Sequence, residues 1–164
     1  MIGTLRIGGD DVGSERGLTA TTADERIALV DRLLRRASVD PIGDVIHLEI
    51  DRTGDGFAAL DRYREVVDGS PVEAPELIEF MRVGVAGQFG AAEHVVNRLG
   101  SGQRAVRTTY NASPVQRQVL YDTHVPTYFR SEAVLPLDAI RALMIDFATT
   151  GEWSDSASWR VTTT

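Results

Sequence analysis

The chain has 164 residues, 43% of them hydrophobic. That is enough for one ordinary globular core and too little for two comfortable domains, so a single domain over 1–164 is expected. The formal charge is −7, with 24 acidic against 17 basic residues, which argues against nucleic-acid binding because phosphate contacts need a clustered basic surface. A basic protein partner is better matched, although acidity also serves plain solubility. There is no cysteine, which excludes disulfides, thiolate zinc sites and cysteine nucleophiles and fits a reducing cytoplasm. The start shows no basic-then-apolar leader and no later apolar run is long enough to span a bilayer, so a cytoplasmic chain without membrane contact is expected. All basic residues are arginine, a mark of GC-rich coding that says nothing about mechanism.

Residues 1–20 are glycine-rich and polar, which suggests a short strand at Thr4 to Ile7 and then a loosely structured loop. Thr22 and Glu25 have capping-box spacing, and Ile27, Val30, Leu33, Leu34 and Ala37 follow as the apolar face of a helix ending at Asp40-Pro41. Asp24, Arg32, Arg35 and Arg36 take the opposite face. From Asp44 to Asp51 the pattern alternates, with Ile46, Leu48 and Ile50 on one side and Val45, His47 and Glu49 on the other, which is strand periodicity. Between 52 and 76 it breaks down into glycines, prolines and one short candidate helix, Phe57 to Val67, and reads as an insertion-like excursion.

Five strand candidates follow in quick succession: Leu77 to Ala86, Glu93 to Leu99, Ala105 to Asn111, Arg117 to Tyr121 and Val125 to Phe129. Short glycine turns favour an antiparallel meander over parallel crossovers. The late segment opens on Pro136 and Asp138, carries Ile140, Leu143, Met144 and Phe147 at helical spacing, and stops at Gly151, where a left-handed cap is expected. The expected fold class is α+β: an antiparallel β-sheet meander of about five to seven strands with two main α-helices packed on one face.

Candidate chemistry is sparse. His47-Leu48-Glu49 matches half of a zinc-deaminase signature, but the half that needs two cysteines cannot be completed. Asp51, Thr53, Asp55 and Gly56 fit the opening positions of a calcium loop, while the position of the bidentate glutamate holds Arg62, so a small calcium- or ligand-binding module remains the alternative reading. Gly84, Gly87 and Gly90 do not form a dinucleotide fingerprint and read as turn glycines. His94 and His124 lack metal-ligand spacing and suit structural or surface roles. Trp153 and Trp159 could form an aromatic site with Phe147, but core packing is the commoner use of such residues. No nucleophile with a base is visible, so neither an enzyme nor a cofactor is expected.

The tail motif F-x-x-T-G at Phe147, Thr150 and Gly151, preceded by Pro136 and followed by Trp159, resembles immunity protein family one of bacterial polymorphic toxin systems. Segments Ala28 to Leu34, Ile46 to Glu49 and Val83 to Gly87 are similar to further parts of its pattern, in the same order. Two departures stand out: Ser154 lies where the family has a proline, and the 52–76 excursion is long. The resemblance implies a protein that binds and occludes a cognate toxin domain, such as a nucleic-acid deaminase or nuclease, as a monomer or weak homodimer with no cofactor. Its shared core would include Ile140, Leu143, Phe147 and Trp159. Acidity and loop position then suggest toxin contacts at Asp51, Asp55, Asp61, Glu73 and Glu76 around the excursion, and at Glu79 and Asp122 beyond it.

Overall fold

The computed structural model describes residues 5–9, 18–51, 77–98 and 101–163. In chain order these form β1 (Leu5–Gly9), β2 (Leu18–Ala20), α1 (Ala23–Val39), β3 (Asp44–Ile50), β4 (Leu77–Ala86), β5 (Phe89–Arg98), β6 (Gln103–Tyr110), β7 (Leu120–Asp122), β8 (Thr127–Tyr128), a 3-10 turn at Ser131–Ala133, β9 (Leu135–Pro136), α2 (Leu137–Thr150) and β10 (Ser158–Thr163). The main sheet runs β10-β6-β5-β4-β3-β1-β2 with every pairing antiparallel. Its centre, β3 to β6, is the meander that the alternating apolar runs predict. The expected helix at 57–67 and the calcium-loop positions after Asp51 lie outside the described residues.

Strand alternation divides the sheet into two faces. Leu48, Met81, Val83, Val85 and Ala92 point to one side and bury against α1 and α2 in a common core. The helix α1 begins at the expected capping box: Thr22 Oγ1 accepts from the Glu25 backbone N–H at 3.2 Å, and Glu25 Oε2 accepts from the N–H groups of Thr22 and Thr21 at 3.0 Å each. The amphipathic stripe is displaced slightly from the one read in sequence. Leu29 and even Arg26 are buried, while Ile27 and Leu33 are only partly covered. Arg26 reaches across the helix pair, donating to the Ala148 carbonyl and the Thr21 carbonyl at 3.0 Å each. It thereby satisfies a C-terminal carbonyl of α2 that has no partner within its own helix and lies at the negative end of the dipole.

Ile140, Leu143, Met144 and Phe147 are fully buried on α2. Pro136 stands one position before the helix, as its N-cap with an extended ψ of 147°, and pairs with Phe89 as part of β9. The Leu137 N–H then bonds to the Gln88 carbonyl at 2.9 Å, which stitches the start of α2 to the β4–β5 turn. Gly151 closes the helix with φ of 75°, its N–H on the Phe147 carbonyl at 2.8 Å. The Ser154 hydroxyl bonds to the Asp146 carboxylate, and the Ser154 carbonyl accepts from Trp159 Nε1 at 2.7 Å. A hydrogen-bonded serine thus directs the chain into β10 at the place where the family pattern has a proline.

The two last meander candidates do something different from what their pattern suggests. Residues 111–134 leave the sheet after β6, cross its second face as an arm built on the β7–β8 hairpin, and return through β9 to the edge of β5. Val119, Phe129, Ala133 and Val134 pack there with Ala86 and Ala91 in a second, smaller apolar cluster. Gly84 and Gly90 are accordingly not turn glycines. Both sit inside strands, where a Cβ on Gly84 would lie 2.1 Å from the Leu120 carbonyl oxygen and one on Gly90 would lie 3.1 Å from Ile140 Cγ1. The first missing methyl admits the arm and the second admits α2. Gly87 alone of the three is in a turn, with φ of 63°.

Candidate functional site

The second face of the sheet is only partly covered by the arm, and the remainder carries polar and aromatic side chains. Arg6 donates to Glu49 Oε2 at 2.9 Å through Nη2 and 3.1 Å through Nε. On β4 and β5, the Arg82 guanidinium lies 4.4 Å from the centre of the Tyr121 ring and 4.0 Å from the Glu93 carboxylate. Tyr121 donates its hydroxyl to the same Glu93 oxygen at 3.0 Å. Burial, then the adjacent Glu93 charge, raises the Tyr121 pKa above its ordinary 10. Arg82, Tyr121 and Glu93 therefore form one unit that ties the arm to the sheet.

Beside that unit a groove of about 360 Å³ opens between the arm and the β6–β10 end of the sheet. Glu93 and Thr108 lie at its floor, Tyr121, Tyr128 and Arg130 line the arm side, and Tyr110 and Arg160 line the other. Arg160 stacks over Tyr110 at 4.6 Å and reaches Glu132 at 3.6 Å. Tyr128 keeps 48% of its surface exposed and Val125, at the hairpin tip, 65%. Asp122 holds that tip in shape by accepting the backbone N–H groups of His124 at 2.8 Å and Val125 at 3.2 Å, and these bonds, Val125 first, keep its carboxyl below the usual range.

Aromatic and arginine side chains held in fixed mutual contact can supply contact area to a partner at low entropic cost. Among the described residues no group of three or more histidines, cysteines or carboxylates is placed to hold a metal ion. Likewise, no helix among them is long and apolar enough to cross a membrane.

The acidic residues proposed from sequence as toxin contacts fall into several settings. Asp55, Asp61, Glu73 and Glu76 lie outside the described residues. Asp51 directly follows β3 and is 4% exposed. Glu79 is on the helix-facing side of β4, where it bonds to His94 Nε2 at 2.9 Å, and His94 in turn packs edge-on against Phe147 at 5.5 Å. Asp122 alone of the described ones is on the arm. The groove residues carry little signal in sequence, because Tyr110, Tyr121, Tyr128 and Arg160 come from separate segments. What could have marked them is the recurrence of tyrosine and arginine between 110 and 130, in and beside segments whose pattern reads as ordinary meander strands.

A sheet with two helices on one face and an arm-walled groove on the other defines an α+β fold. The family follows from comparison: residues 14–161 match the model of Immunity protein Imm1, and the chain belongs to that family. Neither the curated proteins nor the solved structures gave a match.

Proposed function

We propose that this chain protects its producing cell by binding one cognate toxin domain in a stoichiometric complex, through the arm and groove side of the sheet, without catalysis of its own. The observation that carries the reading is the family match, which spans the arm and the sheet it lies on. The helix-covered face is closed by core packing, whereas the arm face leaves aromatic and charged groups open to a partner. Occlusion requires only that the complex cover the toxin's site. The charge of −7 suits a basic, nucleic-acid-directed toxin such as a deaminase or nuclease, because carboxylates can lie where phosphates would. Asp122 would supply one such carboxylate from the arm, with Asp55, Asp61, Glu73 and Glu76 contributing from the excursion. The complex would form in the cytoplasm, with this chain as a monomer.

Co-expression with the toxin domain encoded beside this gene tests the reading. A one-to-one complex that abolishes toxicity is the expected result. Neighbouring genes without a toxin domain, or undiminished toxicity in the presence of this chain, would overturn it.

A further inference from the structure

The two outer edges of the sheet are defended differently. At one end β2 offers only three residues, and short edge strands give a neighbour little to pair with. At the other, β10 runs six residues in unbroken register with β6, from Ser158↔Tyr110 to Thr163↔Ala105. It has no bulge, proline or lysine, and among the described residues no strand lies beyond it. Among the described residues no strand pairs with its outer row of backbone N–H and C=O groups. Its single charge, Arg160, is folded back onto Tyr110 and Glu132. Val161 stands beside it with 58% exposure. Among the described residues, neither a bulge, a proline nor a covering strand blunts this edge.

We propose that β10 receives an extended segment of the toxin as the next strand of the sheet. This rests on the immunity reading above and names how the partner is held. Main-chain pairing would supply affinity, and alternate side chains of the added strand would project on the Arg160 side, beside the groove. That side presents the Tyr110 ring with the Arg160–Glu132 pair, and Glu93 deeper in. A segment with polar or basic residues at alternate positions fits, and an acidic one is opposed by the carboxylates and by the overall charge. A second copy of this chain fits poorly. Two copies would bring a net charge of −7 against another of −7, which opposes their association, whereas Arg160 is already paired with Glu132 and leaves a basic segment unopposed.

Amide hydrogen exchange on the free chain and on its complex with the adjacent-gene toxin domain decides the matter. Outward-facing amides of 158–163 should slow by about tenfold or more in the complex. Val161→Lys, on an exposed side chain, should weaken the complex by about tenfold while leaving the melting temperature unchanged. A complex that forms with unaltered exchange along β10 would overturn strand addition and leave the immunity reading standing. If no complex forms, both fall. A β10-protected dimer of the chain alone in sedimentation would overturn the proposal in favour of self-pairing.

Discussion

Adding a Cβ at Gly84 would place it 2.1 Å from the Leu120 carbonyl oxygen and 2.8 Å from Val119 Cγ1, distances at which backbone has to move. Gly84→Ala is therefore expected to cost about 1–3 kcal/mol in chemical denaturation. Because the clash is with the arm, it should also change the near-ultraviolet signal of Tyr121 and weaken toxin binding. Wild-type stability with an unchanged tyrosine signal would show that the arm does not bear on this glycine. Arg26 makes a comparable case on the other face. At 3% exposure it satisfies the Ala148 and Thr21 carbonyls together, and Arg26→Met should cost about 1–3 kcal/mol by leaving buried acceptors unmet. Arg26→Lys should recover little, since an ammonium cannot reproduce the planar fork. Neither residue announces its role in sequence. A glycine inside a strand and an arginine among helical apolar positions acquire meaning only from what packs across from them.

At the scale of elements, α1 is the clearest case of structure written locally. Thr22 and Glu25 state its beginning, and Thr22→Ala should lower stability by about 1 kcal/mol. The same box predicts a pH response. Accepting the Thr22 backbone N–H first, and then the Thr21 groups, lowers the Glu25 pKa from 4.5 to about 2. A depressed carboxyl contributes stability above its unfolded value and loses it as pH falls through the folded one. Unfolding followed from pH 5 to 2 should therefore show a gentler acid decline in Glu25→Gln than in the parent chain. An identical decline would remove the box from the account of acid sensitivity. The helix α2 and strands β3 to β6 were legible for the same reason: their apolar periods of 3.6 and 2 are local. The arm was not legible. Its strand-like runs encode extension but not destination, and destination is fixed by Gly84 and by the apolar patch of Ala86 and Ala91, far off in sequence.

Across the whole molecule, charge and shape divide the labour of recognition. A net charge of −7 predicts association with a basic toxin that slows as salt rises, because the Debye length shortens from about 30 Å at 0.01 M to about 10 Å at 0.1 M. Stopped-flow rates over that range should fall while dissociation changes little, and salt-independent association would contradict steering. Tyr128→Ala should act in the opposite manner, raising the dissociation rate through about 1–2 kcal/mol of lost contact without altering the melting curve. The composition carries an expectation about the sign of the partner's charge, but the groove was hidden because its tyrosines and arginines converge from four separate stretches of chain.

Both feet of the arm stand close together: the Asn111 N–H bonds to the Glu132 carbonyl at 2.6 Å, and Asn111 Nδ2 bonds to the Val134 carbonyl at 3.0 Å. Val119, Phe129 and Val134 tie most of the intervening chain to the sheet, so only the turn between β7 and β8 can change length at little thermodynamic expense, since doubling a closed loop costs only about 0.6 kcal/mol. The clasp thus anchors both ends of the arm at one point, so that an insertion at the hairpin tip is expected to leave the pairing of the strands beneath it unchanged.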